Sequence, residues 1–392
     1  MKEGRKMYDI AIVGGGAAGM AAAVTARITN RKASIVILEK NDILGKKLYA
    51  IGNGRCNLAN KDAYGCYDVL FLFEEIGMMC MEDLEGRFYP SSQMAEDVVF
   101  FLESYIRSHH IDVMTKTPVD GVEPLADGGF AVRSGVRTIH AHQVLLAPGG
   151  KAGPMYGTTG DGYIMARHLG YRISPVYPAL TGIETNVKSL KGVRTRALVR
   201  LYRQDDLIYE EYGQVQFTDY GMSGIVVMNA SSLINLRGGL TFDDYELVLD
   251  FAPERIDAEL NALLGHRMEK GYAPLRGFVP AKLAAYLQEH ADHVLEDPEV
   301  DKNEQKVYFD EIRESHFQVT GVHGWKTAQC TCSGVVLNQI VEKTMASRLH
   351  EGLYFAGEIL NECGPCGGFN LTQAFFTGLK AGRAMAMKAA AK

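Results

Sequence analysis

The sequence predicts an α/β fold built from both ends of the chain and interrupted by a β-plus-helical insertion. Three observations predict it. A short apolar run at 8–13 passes through the cluster Gly14-Gly-Gly-Ala-Ala-Gly19 into a small-residue helix. A second strand and turn at 352–358 returns near the C-terminus and leads into a helix of Ala, Gly and Met over 370–390. Between about 175 and 340 the pattern changes to alternating strands and then to charged helices.

Taken in order, 8–13 is a buried strand, 14–19 a turn, 17–29 a helix and 34–39 a second buried strand, so 8–39 is one βαβ unit. Residues 92–110 carry helical periodicity, with Ser91 or Ser92 as cap and His109 and His110 at the far end, where positive charge suits the helix dipole. Strands are expected at 111–114, 129–133 and 143–147, then a helix at 161–169. Residues 193–203 and 207–217 alternate as strands, 254–306 is helical and charged, and strand-like segments return at 306–337. The Ala/Lys tail after 384 reads as fraying helix.

Composition narrows the function. The 392 residues leave room for two or three domains, and 47% apolar with 22% charged is ordinary for a globular protein. A net charge of −6 supplies no global field for nucleic acid or an anionic membrane. The apolar stretch at 10–24 is broken by glycines, and no spanning segment is expected. Seven scattered cysteines fit reduced thiols in a cytoplasm better than a disulfide framework. The arginines at 194, 196, 200 and 203 fall in a strand followed closely by Asp205, Asp206, Glu210 and Glu211, a solvated face rather than an RNA surface.

The glycine turn carries the first chemistry. Gly14 permits a tight turn, Gly16 lets backbone approach a pyrophosphate, and Gly19 lets the helix pack on the strand. The helix N-terminus faces the phosphate, and Glu39, twenty residues past Gly19, can accept from ribose hydroxyls. The C-terminal segment favours FAD over NAD. Gly357-Glu358 ends a strand, and Gly367-Gly368 opens a helix, giving a second contact set for an extended dinucleotide: Glu358 for a ribityl hydroxyl, the amides after Gly367 for the flavin edge. No second G-x-G-x-x-G appears in 175–340, so a dedicated nicotinamide domain is not expected.

Here the chain resembles the BaiN/YhiN-type flavoproteins, which include aminoacetone-oxidase-like enzymes. The resemblance runs through most of the length and rests on Gly45-Lys-Lys-Leu-Tyr-Ala-Ile-Gly-Asn-Gly-Arg-Cys-Asn-Leu-Ala-Asn60, Gly86-Arg-Phe-Tyr-Pro-Ser91, Ala147-Pro-Gly-Gly150, Thr159-Gly-Asp-Gly162, Phe217-Thr-Asp-Tyr-Gly-Met-Ser-Gly224, Thr344-Met-Ala-Ser347, 352–358 and Gly367-Gly-Phe-Asn-Leu371. It implies non-covalent FAD in a Rossmann-like, glutathione-reductase-like domain over 1–175 and 338–392. It also implies an inserted β-barrel-like substrate domain over 176–250 and 307–337 and a small helical domain over 251–306. Contacts to FAD are then expected from Gly14, Gly16, Ala17, Ala18, Gly19, Glu39 and Lys40, and from Lys47, Asn53, Gly54, Arg55, Cys56 and Asn57 in the second segment. Val119, Ala147, Gly149, Gly150 and Asp161 follow, with Gly357, Glu358, Gly367, Gly368, Phe369, Asn370 and Leu371 at the C-terminal end. Three positions depart from the family: Asp219 stands where it usually has His, Ile225 where it has Pro, and Cys363 where it has an acid.

Residues that carry the reaction are not fixed by the sequence. Tyr220 and His323 are candidate proton donors. Cys366, in Cys363-Gly-Pro-Cys366 ahead of a helix, has the arrangement that lowers a thiol pKa, although the thioredoxin-like context is missing. Cys330 and Cys332 with that pair make four thiols, yet the spacing does not fit zinc, and no metal is expected. The expected function is FAD-dependent oxidation or reduction of a small or hydrophobic organic molecule: an amine or hydroxy compound oxidised, or an enone-type C=C reduced with NAD(P)H as transient donor. The substrate is expected between the two domains. A flavin-dependent RNA-modifying enzyme and a non-catalytic redox sensor are the alternatives. A small-molecule partner, with no nucleic acid and no membrane, completes the expectation.

Overall fold

The structure is a computed structural model that describes residues 7–297 and 303–391. The chain divides into two compact units, one from 1–178 with 329–392 and one from 179–328.

In the first unit, strand β1 (Met7–Val13) lies at the centre of a sheet. Strand β2 (Ile35–Leu38) pairs parallel with it on one side, and Arg137–Leu146 pairs parallel on the other. Asp112–Met114 continues the parallel sheet beyond β2, and Leu353–Phe355 continues it beyond Arg137–Leu146. Helices cover both faces of such a sheet, which is why β1 and β2 read as unbroken apolar runs. The 143–147 strand is longer than expected. Its first half, from Arg137, pairs antiparallel with Phe130–Ser134 in a side hairpin.

The two chain ends meet helix on helix. Helix α1 (Ala17–Thr29) packs on the C-terminal helix Phe369–Ala390. Gly378 and Gly382, one turn apart, make that approach possible: a Cβ at either would stand 2.3 Å from the carbonyl oxygen of Ala18 or Ala22. The tail does not fray at 384. Met385 and Ala386 are buried, and Gln143 Nε2 donates to the Met385 carbonyl at 2.9 Å, so tertiary packing holds a segment that composition alone leaves loose. The helix expected from 92 starts at Ala95, and its N-cap residue is Met94 rather than Ser91 or Ser92. Ser92 Oγ still accepts from the Met94 amide at 3.3 Å, one residue ahead of the helix.

In the second unit, Ile183–Thr185, Gly221–Ser223, Asp206–Phe217, Arg194–Arg203, Tyr245–Asp250 and Ser315–Val322 close a barrel. Helices Asp257–Glu269, Ala281–Glu296 and Glu304–Arg313 bury Leu260, Leu264, Leu283 and Leu287 in the same core as Leu247 and Leu249 of the barrel. The strand pattern expected from 306 begins only at Ser315. Residues 304–313 form a helix instead, capped by Asn303 Oδ1, which accepts from the Lys306 amide at 3.1 Å. Residues 298–302 of the expected helical segment lie outside the described residues. On the barrel surface part of the basic face is paired or stacked: Arg200 binds Glu210 at 2.7 Å, Lys191 binds Asp219 at 2.8 Å, and Arg196 lies over the Tyr212 ring.

Candidate functional site

In the first unit a cleft opens at the carboxyl ends of the parallel strands, where open α/β sheets bind ligands. Val13, Leu38, Ala147 and Ala356 each lie at or just past a strand end, and all four line it. The order in which strands are added reverses between β1 and Arg137–Leu146, and Val13 and Ala147, at their carboxyl ends, both line the cleft.

The glycine turn forms one wall. Gly14 (φ +104) lies so close to the next strand that a Cβ would stand 2.3 Å from the Ala147 carbonyl oxygen. A Cβ on Gly19 would stand 1.9 Å from the Gly14 carbonyl oxygen, which seats α1 on β1. Gly16 differs: nothing lies within 4 Å of its hypothetical Cβ, although it lines the cleft. It is the N-cap of α1, and the first turn carries neither a side-chain cap nor an acid. The helix therefore presents open amides and the positive end of its dipole.

Glu39 is buried beside this turn. Its Oε2 accepts from the Gly15 amide at 2.8 Å, and its Oε1 accepts from Asn41 N and Nδ2, each at 2.7 Å. A carboxylate has about four acceptor positions, so one remains for a ribose hydroxyl. Next to it, Lys40 Nζ binds Asp161 Oδ2 at 2.6 Å and Thr159 Oγ1 at 2.8 Å. Burial works to raise the Asp161 carboxyl, but the hydrogen bonds from Lys40 and Thr159 outweigh it and hold the pKa below the ordinary value.

On the opposite wall, Gly357 (φ +78) approaches α1, where its Cβ would meet the Ala18 methyl at 2.9 Å. Glu358 already holds two partners: Lys47 Nζ at 2.8 Å on Oε2 and the Thr331 amide at 2.8 Å on Oε1. As an acceptor for a ribityl hydroxyl it is thus partly committed, which sequence alone did not reveal. Asn370 and Leu371, in the first turn of the C-terminal helix, also line the cleft, and Asn370 Oδ1 accepts from the Gly364 amide at 2.9 Å.

Fifteen of the expected contacts form the cleft wall: Gly14, Gly16, Ala17, Ala18, Glu39, Lys40, Lys47, Val119, Ala147, Gly149, Asp161, Gly357, Glu358, Asn370 and Leu371. The other ten are not among its lining residues. Gly150 makes room for Thr331 and Glu358, since its Cβ would stand 2.4 Å from Thr331 Oγ1. Gly368 is the N-cap of the C-terminal helix, pressed against the Ala59 carbonyl, and Phe369 begins that helix. The Gly367 carbonyl accepts from Asn60 Nδ2 at 2.7 Å. Gly54 and Asn53 lie in the 3-10 segment Leu48–Gly54; the Asn53 side chain lies outside the described set. Arg55 lies over the Tyr89 ring at 5.2 Å. Cys56 is fully buried, and burial pushes its thiol up to about 12. Asn57 backs the turn at Gly52. Of the specific 45–60 run, Gly45, Lys46, Lys47, Leu48 and Ile51 line the cleft.

Sequence reasoning missed Gly15, Thr117, the 156–160 loop, Cys330 and Gln373. Gln373 was findable, being one turn past Asn370. Thr117 follows the strand beyond β2 and was findable from the strand-end rule.

The three reaction candidates separate. Cys366 is half-buried in the loop before the C-terminal helix. Its neighbour Cys363 shares a thiol hydrogen bond with Cys332, and that bond, then burial, raises the Cys363 pKa, the reverse of an activated C-x-x-C thiol. Among the described residues no group of three or more His, Cys, Asp or Glu is placed to hold a metal. In the second unit, the rings of Tyr220 and His323 stack at 3.7 Å and 8°, and His323 Nδ1 lies 3.1 Å from Glu184 Oε1. A Cβ on Gly182 would stand 2.4 Å from the Tyr220 ring, so glycine there is what admits the stack. Among the described residues no helix is long and apolar enough to cross a membrane.

The chain matches the HI0933-like protein Rossmann domain over residues 62–384 and an NAD(P)-binding Rossmann-like domain over 12–59. It is 33% identical to the 3-dehydro-bile acid delta(4,6)-reductase of Clostridium scindens, across 97% of this chain and 99% of that protein. It is 24% identical to the ribosomal RNA dihydrouridine synthase of Escherichia coli, across 94% of this chain and 95% of that one. Among solved structures, the 3-ketosteroid delta1-dehydrogenase of Sterolibacterium denitrificans aligns with a TM-score of 0.51 at 13% identity, covering 97% of this chain and 100% of that chain. A flavocytochrome c3 fumarate reductase aligns at 0.50 and 16% identity, covering 98% and 79%. At these identities the structures speak for the fold.

Proposed function

This chain belongs to the HI0933-like Rossmann family, and from that premise we infer an FAD-dependent oxidoreductase that reduces a carbon–carbon double bond of a hydrophobic organic substrate. The observation that carries the direction is the near full-length relative named as a reductase. The second relative's name, a dihydrouridine synthase, also describes two hydrogens added across a double bond.

The residues of the cleft fit FAD. Open space over Gly16 admits a diphosphate, the uncapped helix supplies amides, and Glu39 keeps an acceptor position for ribose. Bound there, FAD supplies two-electron redox chemistry, and the protein supplies position and electrostatics. Lys40 and Asp161 hold the cleft edge beside Glu39. In the second unit, Glu184 can fix His323 as the Nδ1–H tautomer, leaving Nε2 to handle a proton. In that tautomer Nε2 is the ring nitrogen able to accept a proton, and Tyr220 is stacked upon the ring.

Anaerobic stopped-flow tests the reading. Protein loaded with FAD is reduced by NADH or NADPH, then mixed with a conjugated steroid enone or with air. Reoxidation by the enone faster than by air is expected; reoxidation by air alone would make the protein an oxidase. The dihydrouridine synthase relatives favour a second reading, reduction of uracil in RNA. It predicts RNA retention that weakens steeply with salt, against which stand the net charge of −6 and the pairing of Arg200 with Glu210 and of Lys191 with Asp219.

A further inference from the structure

We propose that Lys47 and Glu358 set the reduction potential of the cofactor in this cleft with opposite signs: Lys47 favours the more negative reduced state, and Glu358 offsets Lys47 and holds it in place. The proposal rests on the reading of this cleft as the FAD site.

The pair joins segments 311 residues apart and lines the same cleft as the glycine turn. Lys47 Nζ donates to Glu358 Oε2 at 2.8 Å and to the Ala152 carbonyl at 3.2 Å. An ammonium has three donors, so these two bonds leave one donor over on a residue that lines the cleft. Both side chains are about one-fifth exposed, at 22% and 20%. Glu358 is itself anchored. Its Oε1 accepts from the Thr331 amide, and Thr331 Oγ1 in turn accepts from the amides of Lys151 at 2.7 Å and Ala152 at 3.0 Å. Gly150 leaves the space that this knot fills.

The surroundings make the pair's charges count. The other titratable groups facing it are Cys330, Cys332, Cys363, Tyr156 and Tyr163. Burial raises the Cys330 thiol and the Tyr163 phenol, and Cys363 is raised by its bond to Cys332, so these three stay neutral near pH 7. Burial works to lower the Lys47 ammonium, but Glu358, by its charge and its hydrogen bond, outweighs it and the pKa is raised, so Lys47 stays protonated. Removing either charge alone therefore leaves one unit of the opposite sign uncompensated in a poorly hydrated site. Reduction adds electron density to the cofactor, so a lone Lys47 makes reduction easier and a lone Glu358 makes it harder.

The test is the midpoint potential of the FAD-loaded protein, measured by slow reduction against reference dyes, with FAD affinity followed by fluorescence. Lys47→Gln is expected to weaken binding of reduced relative to oxidised FAD by about tenfold, a fall of about 30 mV for a two-electron couple. Glu358→Gln is expected to raise the potential by a similar amount. The double variant, neutral as the native pair is, returns toward wild type, and Lys47→Arg stays near it. Shifts of the same sign, or affinity changes with unmoved potentials, would overturn the proposal while leaving the cofactor reading intact. Wild-type protein that takes up no FAD would overturn both. Should the single variants lose FAD, the double variant decides: a potential near wild type supports the pair, and a displaced one contradicts it.

Discussion

Gly16→Ala separates the cleft's role in folding from its role in binding. Gly16 has φ −82° and ψ −167°, an extended conformation open to any L-residue, and no heavy atom stands within 4 Å of its added Cβ. The methyl costs the empty protein nothing, and the stiffer unfolded chain favours folding by about 0.4–1 kcal/mol. Its effect falls on the ligand. The methyl projects into the cleft where a diphosphate must approach the first amides of α1, and losing one charge-assisted hydrogen bond costs about 1.5–3 kcal/mol. At about 1.4 kcal/mol per tenfold, affinity for FAD falls roughly 10- to 100-fold. Thermal unfolding of FAD-free protein and an FAD titration by fluorescence read the two effects separately. Gly14→Ala is the control: at φ +104°, with a Cβ 2.3 Å from the Ala147 carbonyl oxygen, it destabilises the empty protein by about 1–3 kcal/mol. Full FAD affinity in Gly16→Ala, or a lowered melting temperature without FAD, would refute the reasoning.

Three further outcomes follow from the first unit. Gly378→Leu should destabilise the protein by at least about 1–3 kcal/mol in a urea titration, because its Cβ meets the Ala18 carbonyl at 2.3 Å; an unchanged midpoint would mean the two chain ends do not pack there. The lowered Asp161 carboxyl keeps the Lys40 bridge formed above the ordinary carboxylate range of about 4, and the bridge is lost only as pH falls through the lower folded value. FAD dissociation should accordingly be flat from pH 8 to 5 and several-fold faster in Asp161→Asn; a rate that changes between pH 6 and 8 contradicts the assignment. Cys56, pushed up to about 12 by burial, should resist iodoacetamide in native protein at pH 8 and react on unfolding; labelling at the rate of an exposed thiol would show that it is not buried.

The parts legible in the sequence are those fixed by local rules. The turn from Gly14 to Gly19 and the buried runs of β1 and β2 announce themselves through spacing and apolar continuity. Glu39 follows from its distance past the turn. The C-terminal helix was legible, but its last turn was misread, because Met385 and Ala386 are held by contacts with the sheet rather than by their own propensity. The helix at 304–313 looked like strand because its burial at Val307, Tyr308 and Ile312 leaves a short, ambiguous apolar pattern. Within the cleft, the illegible parts are pairs: Lys40 with Asp161, and Lys47 with Glu358. Nothing local in either partner's sequence names the other. The Cys363 thiol is set in the same way, since its controlling neighbour, Cys332, lies 31 residues away across the fold.

A crystal structure grown with FAD tests the account most directly. It should show one FAD extended along the cleft, its diphosphate at the amides following Gly14 and its far end toward Glu358 and Asn370. FAD lodged elsewhere, or Gly16 still facing open solvent in protein that has taken up the cofactor, would contradict it.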